Sequence, residues 1–145
     1  MTMPTFWRRA TFSVAETAEI IGGTEDGLRA WIARNPINDF GGAKTGGRLW
    51  LSGMDGFYYL LVQALSLHGV PVRTAMLMAA TIANDAEDGQ PRHRYLLARV
   101  RGKKVEFHHT DNVDALTETG LIVPLHELLA THIDRCAAAY VKEAS

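Results

Sequence analysis

The stretch "FSVAETAEIIGGTEDGLRAWIAR", residues 12 to 34, holds two short apolar-periodic segments separated only by Gly22-Gly23. Isolated helices shorter than about 12–15 residues are marginal in water, so neither segment stands alone. Each must be stabilised by the other and by chain further on. Ser13 followed by Glu16 is an S-x-x-E capping box, which predicts a helix from Val14, with Val14, Ala18 and Ile21 on one side, ending at the two glycines. Thr24 caps a second helix with Glu25 and Asp26 in its first turn, Leu28, Trp31 and Ile32 as its apolar stripe, and Asn35-Pro36 as its stop.

On a helical wheel the side opposite that stripe carries Asp26, Ala30 and Ala33, edged by Arg29 and Arg34. A ridge of small residues flanked by guanidinium groups fits a DNA major groove, where small side chains allow close approach. It equally describes an ordinary solvated helix face. The next segment, "FGGAKTGGRLWL" at 40–51, surrounds Lys44 with glycines and ends in a strand-like "RLWL", which predicts a β-hairpin with a long flexible tip. Ser52 and Asp55 then cap a third helix that runs to "HGVP", and a fourth, mostly apolar helix is expected from about Val72 to Asn84.

Helix, tight turn, helix, glycine-rich wing ending in Arg, and a Ser-capped helix closed by Gly-x-Pro resemble the mercury-resistance-regulator (MerR) family of winged helix-turn-helix transcription factors. The resemblance covers roughly residues 12–84. It rests on Leu28, Arg29 and Trp31 in the second helix and on "GGRLWLSGMD", where Arg48, Trp50, Ser52 and Asp55 match the end of the family's wing. "NPINDF" stands where the family has a glycine-leucine connection, and Glu25 and Asp26 are acidic where phosphates would approach. The resemblance implies a regulator that binds double-stranded DNA as a homodimer through helix 24–34 and wing 41–48. Thr24, Arg29, Ala30, Arg34, Lys44 and Arg48 are the implied DNA-facing residues. Arg8 and Arg9 are either an arm on the DNA backbone or solvated charge near a terminus.

Beyond the acidic connector "NDAEDGQPRH", the run "RYLLARVRGKKVEFHH" predicts a second hairpin turning at Gly102-Lys103, with Leu96, Ala98, Val100, Val105 and Phe107 facing inward. Pro124 suits the first position of a final amphipathic helix. Leu125, Leu129, Ile133 and Tyr140 on that helix are the expected dimer seam, although the same helix would also serve to close a small α+β domain. The expected architecture is therefore mainly α, of α+β type: a winged helix-turn-helix region over 1–84, then a hairpin and helix over 85–145.

Composition narrows the function. The net charge of −1 lacks the basic excess usual for nucleic-acid binders, so any DNA contact must be local. No apolar run reaches the roughly 20 residues that span a bilayer and the N-terminus lacks an apolar signal core, which gives a cytoplasmic expectation with no membrane partner. The single cysteine, Cys136, excludes an intrachain disulfide. His132 and Cys136, one helical turn apart, are too few for a zinc site, so no metal and no cofactor are expected. No phosphate loop, nucleophile elbow or nucleophile–base pair is present, so no enzyme is predicted. An excisionase-like architectural factor, or a protein-interaction module without DNA, are the alternatives, and the sequence names no small-molecule effector.

Overall fold

The computed structural model describes residues 2–114 and 119–144. Among them are five α-helices and two small antiparallel three-stranded sheets, a mixed α+β fold. The N-terminal half is organised by one capping device used twice. Ser13 Oγ accepts from Glu16 N at 3.1 Å while the Glu16 carboxylate accepts from Ser13 N at 2.9 Å, starting α1 (Val14–Ile21). Ser52 and Asp55 repeat the exchange at 3.0 and 2.9 Å, starting α3 (Gly53–Ser66). The two boxes sit side by side because β1 (Phe12–Ser13) pairs with β3 (Arg48–Leu51), Phe12 opposite Leu51 and Ser13 opposite Trp50. β1 is too short to carry a strand pattern of its own, and only its pairing to β3 identifies it.

α1 ends as expected. Gly22 takes the left-handed conformation at φ 73°, which a residue with a Cβ adopts only at a cost, and Gly23 N returns to Ala18 O at 2.8 Å. The turn then packs on α3, where Gln63 Nε2 donates to Ile21 O at 2.9 Å. α2 (Glu25–Arg34) lies outside, anchored by Leu28, which is only 2% exposed. "NPINDF" is clamped by α3 as well: Tyr58 OH donates to Asn35 Oδ1, Tyr59 OH donates to Phe40 O, and the Phe40 ring stacks on Tyr58 at 4.4 Å. Burial pushes the Tyr58 phenol up to about 12.

α4 (Val72–Asp85) pairs with α3, and the second sheet follows in the order β5-β4-β6. β4 (Tyr95–Arg101) and β5 (Lys104–Thr110) form the expected hairpin about Gly102-Lys103, with Leu96 and Ala98 buried. Val100 is 43% exposed and Val105 and Phe107 are half-buried, because this end of the hairpin runs past the core. β6 (Leu121–Pro124) was not expected. It pairs with β4, Tyr95 opposite Pro124, so Pro124 ends a strand instead of opening the helix, and Leu125 N continues the pairing to Arg94 O at 2.7 Å.

α5 (Leu125–Ala144) corrects the expected dimer seam. Leu125 and Leu129, each 1% exposed, face the chain's own core together with Cys136 and His132. Ile133 is half-buried, and Tyr140, 45% exposed, lies beside the Phe6 ring at 5.8 Å. The reason is that an apolar helical stripe is the same whether its partner is another chain or its own, and here α1, α3 and the second sheet supply that partner. One hydrophobic core therefore runs from Phe6 to Cys136 across the expected boundary at 84/85. The N-terminal segment joins it: Trp7 is fully buried with its indole N–H donating to Glu87 O, and Arg8 is paired with Asp88, which removes Arg8 from any free arm. Among the described residues, no helix is long and apolar enough to cross a membrane.

His132 joins α5 to α3. Its Nε2–H donates to Gly53 O at 2.8 Å, Cys136 Sγ lies 3.4 Å from the same nitrogen, and Nδ1 is buried without a partner among the described residues. Burial, aided by the Arg135 charge, pulls the imidazole down to about 4. A histidine depressed below its unfolded value of about 6.5 leaves the folded state binding fewer protons. The stability it confers is complete above about pH 6.5 and is lost as pH falls through about 4, on the order of 3 kcal/mol in all. Urea midpoints measured from pH 7 to pH 4 should fall in the wild type and fall distinctly less in His132→Gln.

Candidate nucleic-acid interface

α2 is positioned by its cap. Thr24 Oγ1 accepts from Gly27 N at 3.1 Å with Thr24 in an extended conformation, so the helix leaves the Gly22-Gly23 turn at a fixed angle. Leu28, Trp31 and Ile32 turn toward the core, which leaves Asp26, Ala30, Ala33, Arg29 and Arg34 exposed as the wheel predicted. Arg29 is not a free cation. Its Nε and Nη2 donate to Glu25 Oε1 at 3.2 and 2.9 Å, an i,i+4 pair on an exposed face.

The hairpin differs from expectation at its tip. β2 (Ala43–Thr45) pairs with β3 directly, and the turn is the tight pair Gly46-Gly47, at φ 62° and 78°. Two successive positive φ angles match the right-handed twist of the strands and favour glycine at both sites. Lys44 therefore sits within a strand, opposite Leu49, instead of on a loose loop. Alternation places Lys44 and Leu49 on one face, and Arg48, Trp50 and Thr45 on the other. The Arg48 guanidinium lies over the Trp50 ring at 5.7 Å, held by the ring's negative face.

Between α2, this hairpin and the first turn of α1 is a cleft of about 180 Å³. Its walls include Arg29 and Glu25 from α2, Arg48 from β3, and Ser13, Val14 and Ala15 at the start of α1. The structure thus brings together two of the expected residues, Arg29 and Arg48, that stand 19 positions apart. Thr24, Ala30, Arg34 and Lys44 do not line it: Thr24 acts as the cap, Ala30 and Arg34 lie on the outer side of α2, and Lys44 is on the hairpin face opposite Arg48. Sequence reasoning missed the start of α1 as a wall, and treated Glu25 as a dipole partner and a phosphate-repelling acid without its pairing to Arg29, although the i,i+4 spacing already carried that signal.

Chemically the cleft is a place for an anion. Arg29 and Arg48 are among its lining residues, and of the first-turn amides of α1 the Glu16 N–H is taken by Ser13 Oγ, which leaves those of Val14 and Ala15 without a partner within the helix. The Glu25 carboxylate opposes this and offsets one of the two positive charges. Among the described residues no cluster of three or more His, Cys, Asp or Glu is arranged to hold a metal, and His132 with Cys136 is enclosed in the core. No protein-family model matches this chain, and no curated protein matches it. Removing the cap hydroxyl with Thr24→Ala should cost about 1 kcal/mol of stability in a urea titration, through loss of the Gly27 N–H acceptor.

Proposed function

We propose that this chain is a sequence-specific, double-stranded-DNA-binding regulator of winged helix-turn-helix type, resembling the MerR family, with α1 and α2 as the helix pair and β2–β3 as the wing. The observation that carries the reading is the cleft in which Arg29 of α2, Arg48 of β3 and the first turn of α1 converge. A DNA phosphate placed there meets the Arg48 side chain and helix amides, while Arg29 on the α2 wall reaches a base edge. The same pose turns the exposed Ala30–Ala33 ridge toward the major groove, with Arg34 at the far edge of α2.

Lys44 and Arg48 occupy opposite faces of the hairpin, so a wing lying along the DNA backbone presents a cation on either side. Trp50 keeps Arg48 extended over its ring and reduces the side-chain freedom lost on binding. Glu25 tunes the arrangement. It holds Arg29 in place before DNA arrives, and it repels phosphate, which lowers affinity for random sequence and favours a site where a base acceptor draws Arg29 away.

One observation favours a second reading. The Glu25–Arg29 pair and the adjacent Asp26 leave the start of α2 with a net charge of −1, which suits a protein partner better than a phosphate backbone. Binding-site selection from random duplex DNA with the full-length protein separates the two. DNA binding whose affinity falls steeply with salt supports the first, and its absence supports the second.

The residues then sort by effect. Arg48→Ala should weaken binding to every sequence and reduce the salt slope by about one unit, whereas Arg29→Ala should cost about 1–3 kcal/mol on the selected site and relax its specificity. Glu25→Gln should tighten binding to random DNA more than to the selected site, which fluorescence anisotropy on both duplexes measures directly.

A further inference from the structure

β5 is an edge strand: β4 lies on one side, and among the described residues no strand pairs with the other. Its neighbour at the opposite edge, β6, is four residues long and ends in Pro124, which has no N–H to donate. β5 has neither protection. It runs for seven residues without proline, and at its turn end Val100, Val105 and Phe107 leave an apolar face partly open.

The strand is also complementary to itself. Two copies related by a two-fold axis perpendicular to the sheet pair antiparallel and keep the same faces inward, so the register must match residues of equal alternation. With Phe107 on the axis, Glu106 lies opposite His108 of the second copy, His108 lies opposite its Glu106, and Val105 lies opposite His109. Continued past the strand, Lys103 faces Asp111. Sliding the register two residues either way sets Glu106 against Glu106 or His108 against His108. The register centred on Phe107 is the one that overlaps all seven residues of the strand; it sets Glu106 beside His108 twice, continues to Lys103 beside Asp111, and places an aromatic pair at its middle.

We infer that a second copy of this chain adds to the β5 edge, giving a homodimer with a continuous six-stranded sheet centred on Phe107. Leu125 and Leu129 of α5 are buried inside the chain and are not open to such a contact. The inference stands whether or not DNA is the partner of the α2 face.

Cysteine cross-linking of the full-length protein tests the register. Directly opposed residues on antiparallel strands have Cα atoms about 4.5–5.5 Å apart, within the disulfide range, so Phe107→Cys should link to its copy under mild oxidation. Lys104→Cys should not, since the two copies of residue 104 would be about 20 Å apart. Cys136 does not interfere, being buried with its thiol pushed up to about 12. In sedimentation over a concentration series, Glu106→Lys should weaken the dimer roughly tenfold, and the exchange Glu106→His with His108→Glu should restore it. Circular dichroism checks each fold; if Glu106→Lys unfolds, the cross-linking comparison decides alone. A monomer across the series, or equal cross-linking at positions 104 and 107, would overturn the inference.

Discussion

Burial of α3 on nearly every side is the constraint from which the remaining arrangement follows. Phe57, Tyr58, Tyr59, Leu61, Val62 and Leu65 are all fully buried, so every other element is placed by the part of α3 that it covers. Two of the close approaches to α3 are made at glycines. A Cβ on Gly56 would come within 3.1 Å of the His132 ring, and one on Gly53 would meet Phe6 and Trp7 at 3.3 Å. α5 and the N-terminal segment thus reach the first turn of α3 because two side chains are missing there. Gln63 and the two tyrosines bind the α1–α2 turn and the 35–40 loop from the same helix, so α2 is oriented by α3 while touching it little.

A helix held at arm's length in this way is suited to meet something outside. α2 contributes one fully buried residue, Leu28, and spends its remaining polar surface on solvent and on the cleft shared with β3 and α1. A net charge near zero is compatible with an anion site when cations are concentrated by folding, since screening confines their field to about 10 Å in any case. In the proposed DNA-binding reading the Glu25 carboxylate acts as a brake on non-specific attraction, as like charge discriminates among partners elsewhere.

The polar groups within the core follow a different logic. His132 satisfies one nitrogen on a helix carbonyl and leaves the other without a bond, at the junction of α3, α5 and Trp7. Such a group favours one packing of α5 over others, because rotation of the helix would leave both nitrogens unsatisfied. It makes that packing sensitive to acid, and histidine and cysteine one turn apart here mark a helix junction.

What the sequence determined by itself was most of what depends on partners within about five residues, the Glu25–Arg29 pair and the tight Gly46-Gly47 turn being exceptions. Ser13 with Glu16, Thr24 with Gly27, Ser52 with Asp55, the stop at Gly22-Gly23 and the turn at Gly102-Lys103 were all legible, because a cap or turn is a local hydrogen-bond exchange with a short spacing. The exposed arc of α2 was legible for the same reason, from helical periodicity alone. Tertiary structure decided the rest: that Phe12–Ser13 and Leu121–Pro124 are strands, that Trp7 is core, that Arg29 and Arg48 line one cleft and Lys44 does not, and that Leu125 and Leu129 pack inside. Apolar patterning records that a face must be covered and carries no label for what covers it, and a two-residue strand has no pattern until its partner is beside it. Those choices are made only when distant segments compete for the surface of α3.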